Sequence, residues 1–77
     1  MSRVTTRERQ VAALLAMGLT NQEIAARLGR SMHTVKRHVS SLMLKLNVSR
    51  RSQIAVIASR MGWDGDLSAP RSVGDGP

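Results

Sequence analysis

The stretch IAARLGRSMHTVKRHVSSLMLKL, residues 24–46, carries two apolar stripes at helical spacing on either side of a short turn. The first stripe consists of Ile24, Ala25 and Leu28, and the second of Val35, Val39, Leu42, Met43 and Leu46. Only Gly29 and Arg30 separate the first stripe from Ser31, which can cap the start of the second helix. So short a connection containing glycine predicts a helix-turn-helix.

The sequence on both sides of this helix-turn-helix contains further signals for helix starts and helix ends. Thr5 with Glu8, and Thr20 with Glu23, have the spacing of capping boxes, and Ser49 can cap a further start. Helix ends are predicted at residues that tolerate the left-handed conformation, namely Gly18, Gly29, Asn47 and Gly62. These signals predict four helices, over about residues 6–17, 21–28, 32–46 and 50–61.

The two outer helices have apolar stripes of their own, so that all four helices can share one core. These stripes consist of Val11, Leu14 and Leu15 in the first helix, and of Ile54, Ile57, Ala58 and Met61 in the fourth. Trp63, the only aromatic residue, is expected to close the bottom of the core. Residues 1–63 are therefore predicted to form one all-α domain. Residues 64–77, which lose the periodicity and turn to Gly, Pro, Asp and Ser, are predicted to be a disordered tail.

The composition excludes several classes of protein and favours one kind of partner. The 77 residues contain no cysteine, which excludes a disulfide framework and a thiolate metal site. No apolar run is as long as a signal peptide or a membrane span, so we expect a cytoplasmic protein without a membrane partner. Up to Trp63, eleven basic and two acidic residues give a net charge of +9, which indicates a polyanionic partner. The alternative is that this charge only keeps the protein in solution.

The third helix places its basic residues opposite its apolar stripe. When its residues are projected at about 100° each from Val35, five of them fall on the far side. These are His33, Lys36, Arg37, Ser40 and Leu44. The major groove of B-DNA admits one such helix, with the N-terminal half near the base edges. We therefore expect base contacts from Lys36, Arg37, Ser40 and His33, and the alternative is a solvated face that contacts phosphates only. Leu44 has no role in this interpretation.

The stretch VTTRERQVAALLAMGLTNQEIAARLGRSMHTVKRHVSSLMLKLNVSRRSQIAV, residues 4–56, resembles the LuxR-type helix-turn-helix of bacterial transcription regulators, also called the NarL/FixJ or GerE type. The matching residues include Thr5, Arg7, Glu8, Gly18, Asn21, Glu23, Ile24, Ala25, Leu28, Ser31, Thr34, Val35, Lys36, His38, Lys45, Leu46, Val48 and Arg51. The resemblance implies that the third helix enters the major groove, that the fourth helix dimerises, and that the protein acts at the bacterial nucleoid.

Two residues and the domain organisation depart from the family's pattern. Val4 stands where the family usually has leucine, and Arg30 stands where it usually has an aliphatic residue. Either the stem of Arg30 packs while its head reaches a phosphate, or the turn is less well sealed. Most of the family carries a receiver or ligand-binding domain upstream. The chain is either a standalone regulator, as the small spore-development members are, or an excised domain, and Met1 directly before the domain favours the former.

Further contacts are expected outside the third helix. The N-terminus of the second helix offers free amides to a phosphate. The predicted phosphate contacts are Thr20, Asn21, Gln22, Arg30, Thr34, Lys45 and Arg51. For Arg51 an ion pair with Glu8 or Glu23 is an equal alternative. Val56 points away from the apolar stripe of the fourth helix. A single exposed valine usually has no role, but the family's habit of dimerising through this helix favours a small two-fold contact there, weak without DNA. The residues of this predicted dimer interface are Ser52, Ala55, Val56, Ser59 and Arg60.

No enzyme, metal site or cofactor is predicted. His33 and His38 lie about 140° apart on their helix, so they cannot share an ion. His38 is expected to pack at the edge of the apolar face with one hydrogen bond, and the alternative is a direct phosphate contact. Capping accounts for Glu8 and Glu23, and neither lies in a plausible catalytic grouping. The sequence thus predicts a homodimeric, sequence-specific regulator of transcription that binds dyad sites in double-stranded DNA, with RNA polymerase as a further candidate partner. The alternatives are a protein-interaction module that docks on the transcription machinery and a non-specific nucleic-acid binder.

Overall fold

The structure, a computed structural model, describes residues 3–64 and contains four helices and no strand in that range. The helices are α1 (Thr6–Ala16), α2 (Asn21–Leu28), α3 (Met32–Lys45) and α4 (Arg51–Met61). The prediction of an all-α, four-helix domain is confirmed, with boundaries that differ from the predicted ones by one residue at most. The predicted disordered tail, apart from Asp64, lies outside the described residues.

Helix starts follow the local sequence at three of four positions. In α1 the Glu8 amide donates to Thr5 Oγ1 (3.1 Å), and the Thr5 amide donates to Glu8 Oε1 (2.9 Å). The corresponding distances between Glu23 and Thr20 in α2 are 3.2 and 2.8 Å. The side chain of Ser31 caps α3 by accepting a hydrogen bond from the Thr34 amide. Both predicted capping boxes and the predicted serine cap of α3 are therefore confirmed.

The prediction that Ser49 caps α4 is wrong. The residue before the helix is Arg50, and its side chain makes no cap hydrogen bond. Instead, Oε1 of Gln53 accepts hydrogen bonds from the amides of Ser49 and Arg50, both at 3.0 Å. Because this one carbonyl reaches back to two free donors, the serine hydroxyl is not needed as their acceptor.

Helix ends also follow the sequence. The four predicted stop residues are the four described residues with positive φ: Gly18, Gly29, Asn47 and Gly62. After α2 the Arg30 amide donates to the Ala25 carbonyl at 2.9 Å, which closes a Schellman turn around the left-handed Gly29. Leu19 and Val48, at the equivalent positions after α1 and α3, pack against the core, whereas Arg30 is exposed. The turn of the helix-turn-helix thus lacks the apolar seal of the other two.

Helix α1 is the centre of the core. It packs mainly against α4 and α3, and α2 packs mainly against α3. Five consecutive residues of α1, Val11 to Leu15, are buried, including Ala12 and Ala13, which lie outside the predicted stripe. A helix with neighbours on several sides buries more than one face, and small alanines let those neighbours approach.

The buried part of the other helices agrees with their stripes except in α4, where Ile57 is only half-buried and Ala55, outside the predicted stripe, packs against the core. Buried residues in these helices are Ile24, Ala25, Val35, Val39, Leu42, Ile54 and Ala58, and Trp63 packs against them as predicted. The prediction for Met61 is wrong, because its side chain is 64% exposed. Met61 is the last residue of α4 and lies one turn beyond the buried Ala58. Among the described helices, none is long and apolar enough to span a membrane.

Candidate nucleic-acid interface

Helix α3 has one buried and one exposed face. Val35 and Leu42 are completely buried and Val39 is 7% exposed, so three points along the helix fix its rotation against α1 and α2. All four residues predicted to contact bases are exposed; these are His33, Lys36, Arg37 and Ser40. The packing therefore orients a row of donors and positive charges away from the protein.

The start of α3 is fixed by hydrogen bonds between its own side chains. Ser31 Oγ accepts from the Thr34 amide at 3.1 Å and donates to Thr34 Oγ1 at 3.0 Å. Thr34, a predicted phosphate contact, is half-buried, and its hydroxyl retains donor capacity after accepting from Ser31. The neighbouring Arg30 is exposed and also a predicted phosphate contact.

The N-terminus of α2 is joined to the start of α4 by Arg51. Its Nη1 donates to Asn21 Oδ1 at 2.8 Å, and its Nη2 donates to the Leu19 carbonyl at 3.4 Å. The partners of Arg51 are thus an amide and a carbonyl, and not a carboxylate, so its positive charge is not neutralised by them. Thr20 and Gln22 are exposed beside it. Four predicted phosphate contacts, Thr20, Asn21, Gln22 and Arg51, therefore lie together.

Lys45 has partners that sequence reasoning missed. Its Nζ donates to Glu8 Oε1 (2.8 Å), to Glu8 Oε2 (3.1 Å) and to the carbonyl of Arg3 (2.9 Å). Ser41, one turn earlier in α3, donates to Glu8 Oε2 at 2.6 Å. A lysine has three donors, and all three are engaged here. A phosphate contact by Lys45, which stays a prediction, would have to compete with these bonds.

Glu8 is the buried acceptor of this network, with 5% of its surface exposed. Burial by itself would raise the pKa of Glu8, but hydrogen bonds from Lys45, Ser41 and the Thr5 amide, together with the Lys45 charge, lower it from 4.5 to about 2. The carboxylate therefore stays ionised and ties α1 to the last turn of α3. The only signal for this in the sequence is that Ser41 and Lys45 lie one turn apart at the edge of the apolar stripe.

The two histidines differ in exposure, and the packing of His38 stays a prediction. His33 is exposed, and His38 is half-buried at the edge of the core face. Within residues 3–64, no group of histidine, aspartate and glutamate side chains could hold a metal ion.

On the outer face of α4, four of the five residues predicted at a dimer interface are exposed: Ser52, Val56, Ser59 and Arg60. Ala55 is half-buried and packs against the core. Val56 is 52% exposed, so an apolar group is present at the centre of this face.

The comparison with protein families decides the membership. Residues 2–58 match the family described as bacterial regulatory proteins, luxR family. The chain belongs to this family. LuxR-family members are DNA-binding regulators of transcription and are generally not enzymes, and the resemblance seen in the sequence is confirmed.

Three similar proteins differ in how much of their own length the match covers. The spore germination protein GerE of Bacillus subtilis is 48% identical over 59 residues, which cover 77% of this chain and 80% of GerE. The DNA-binding transcriptional activator DevR/DosR of Mycobacterium tuberculosis is 43% identical over 77 residues, 100% of this chain and 33% of the activator. UhpA of Escherichia coli is 52% identical over 52 residues, 68% of this chain and 26% of that regulator. The chain thus spans about a third or less of the length of the last two relatives.

Proposed function

We propose that this luxR-family domain binds double-stranded DNA sequence-specifically at the bacterial nucleoid, in the cytoplasm, and regulates transcription with α3 in the major groove. The observation that carries the proposal is the division of α3 into a buried apolar face and an exposed face with Lys36, Arg37 and Ser40. An α-helix with its side chains is about 10–12 Å across, which matches the width of the groove.

Within the groove, each exposed side chain has a chemical role. Arg37 carries a planar guanidinium that can donate two hydrogen bonds to one guanine, which makes it the strongest candidate for base discrimination. Lys36 and Ser40 flank it on the same face and can donate to neighbouring base edges. His33, nearer the start of α3, can contact a base or the backbone.

Phosphate contacts would hold this helix in register. The N-terminus of α2 combines free backbone donors with a positive dipole end, and the cation Arg51 lies against Asn21 at the same place. Thr20 and Gln22 extend this site, and Arg30 and Thr34 lie at the neighbouring start of α3. Lys45 is the weakest member of the predicted set, because Glu8 already neutralises it.

Two copies would pair through α4. Val56 lies at the centre of an exposed face flanked by the small residues Ser52 and Ser59, which allow close approach of a second helix. Such a two-fold pair would place two α3 helices in successive major grooves, with half-sites about 10 base pairs apart or a multiple of this. RNA polymerase would be a further partner of the DNA-bound dimer.

The test is binding to a randomised duplex pool at two salt concentrations, followed by point-mutated versions of the selected site. We expect a dyad-related motif that survives the higher salt. Arg37→Ala should relax the preference at one base pair of each half-site, whereas Arg30→Ala should weaken all sequences alike. Retention without sequence enrichment would contradict sequence-specific binding and favour phosphate contacts alone.

The dimer has a separate test. Val56→Arg should reduce two-copy occupancy of the selected site in a gel shift, because it places a charge at the centre of the proposed contact. Val56→Ala, which removes only the isopropyl group, is the matched control and should act in the same direction but less. Thermal unfolding should be unchanged in both, since Val56 is half exposed. Unaltered two-step binding of Val56→Arg would exclude this interface.

A further inference from the structure

Leu44 is an apolar side chain that the fold does not use. It is 83% exposed, more than any other large hydrophobic residue in the described part of the chain. Its neighbours Met43 and Leu46 pack against the core, so the anchoring of α3 does not depend on it. A polar residue at this position would serve the isolated domain equally well.

The position of Leu44 on α3 connects it to the proposed DNA-reading face. Seven residues separate it from Arg37, which brings it back to within about 20° of the same line along the helix. Ser40 lies between them, one turn before Leu44. With a rise of 1.5 Å per residue, Leu44 lies about 10 Å beyond Arg37, in the C-terminal half of α3, so it reaches a base edge only where α3 lies along the groove and does not enter it end-on. In that orientation the distance corresponds to about three base-pair steps of 3.4 Å.

The charge distribution makes this end of the row apolar. The cation next to Leu44 in sequence is Lys45, but its ammonium group is turned inward and bound to Glu8 and to the Arg3 carbonyl. The exposed row therefore begins with the hydrogen-bonding groups of His33, Arg37 and Ser40 and ends in a branched aliphatic side chain.

One group on the major-groove edges of DNA matches an aliphatic side chain. Every base pair presents hydrogen-bond donors or acceptors there, and only thymine adds an apolar group, its C5-methyl. We propose that Leu44 is a specificity-determining residue that contacts the C5-methyl of one thymine in each half-site, about three base pairs from the base read by Arg37. This inference rests on the proposed function, since it requires α3 to lie in the major groove.

The experiment is a double-mutant cycle, in which the thymine methyl group is removed from the DNA and the Leu44 side chain is removed from the protein, separately and together. In the selected duplex each thymine is replaced in turn by deoxyuridine, which keeps the base pairing and lacks only the methyl. At one thymine per half-site, wild-type affinity should fall by about fourfold, the value of one buried methyl group. Leu44→Ala should bind the thymine and deoxyuridine duplexes equally.

Lys36→Ala is the matched control, because it changes the same face of the same helix. It should bind more weakly overall but keep the fourfold thymine preference. Unfolding of Leu44→Ala by denaturant should match the wild type, since the side chain is exposed.

The outcomes separate the two proposals. If a specific site is selected but no deoxyuridine weakens wild-type binding, the contact of Leu44 with thymine is excluded and the proposed function stands. If the penalty persists unchanged in Leu44→Ala, the methyl is read by another residue and the inference is overturned. If no specific site is selected, the proposed function fails, and the inference fails with it.

Discussion

Helices α1 and α2 begin with the same local device, but the two devices differ in what else they hold. In both, a threonine and a glutamate three residues later satisfy each other's backbone amides. Glu8 is buried and also accepts hydrogen bonds from Ser41 and Lys45 of α3. Glu23 is exposed, and its hydrogen bonds among the described residues stay within its own box.

The difference shows that a capping box can either contribute to tertiary packing or only start its own helix. At α1 the glutamate fixes the last turn of α3, which helps to hold the proposed reading helix in place. At α2 the same chemistry only starts the helix, and the surrounding N-terminus remains open beside Arg51. If the capping box of α2 were buried like that of α1, the N-terminus of α2 would not be accessible to a phosphate.

The largest expected difference between the two boxes is in stability. Glu8→Gln keeps the capping acceptor but removes the charge that neutralises Lys45, and it should lower the free energy of unfolding by about 3 kcal/mol. Glu23→Gln, the matched control, also keeps its cap and should change stability by less than about 0.5 kcal/mol. Denaturant unfolding of both variants at pH 7 gives the comparison. Equal stabilities would mean that the Glu8 network contributes nothing beyond the cap.

Acid should separate the boxes in the wild-type protein. The pKa of Glu8 is lowered from 4.5 to about 2, so its contribution is complete above pH 4.5 and is lost as the pH falls towards 2. Between pH 7 and pH 3 this one group should remove about 2 kcal/mol of stability, and Glu8→Gln should lack that part of the decline. Unfolding of both proteins across this range measures it. If the stability difference between them stayed constant with pH, the lowered pKa would be refuted.

The two capping boxes also separate the features that local sequence predicts from those that depend on tertiary packing. Both boxes and the four left-handed stops were predictable because each depends on residues no more than a few positions apart. The ion pair between Glu8 and Lys45 joins residues 37 positions apart, and nothing local distinguishes Glu8 from Glu23. The exposure of Met61 was missed for the same reason, because it depends on where the neighbouring helices end.

The candidate DNA interface likewise contains features that the sequence predicts and features that depend on tertiary packing. The outward direction of Lys36 and Arg37 follows from the period of α3 alone and was predictable, although their base contacts stay a prediction. The contact of Arg51 with Asn21 depends on how α4 packs beside α2, and sequence reasoning gave a carboxylate as the alternative partner. Lys45 carries the same charge as Lys36 on the same helix, yet only the tertiary structure reveals that it is neutralised.

The smallest expected effect tests whether the open box faces DNA. If a phosphate binds at the N-terminus of α2, the exposed carboxylate of Glu23 repels it, and Glu23→Gln should strengthen binding to the selected duplex by about twofold at low salt. The gain should vanish at high salt, because exposed charges are screened. Glu8→Gln raises the net charge by the same amount, but it also frees Lys45, a predicted phosphate contact, so a gain in that variant would not bear on α2. An affinity unchanged by Glu23→Gln at low salt would move the phosphate away from α2.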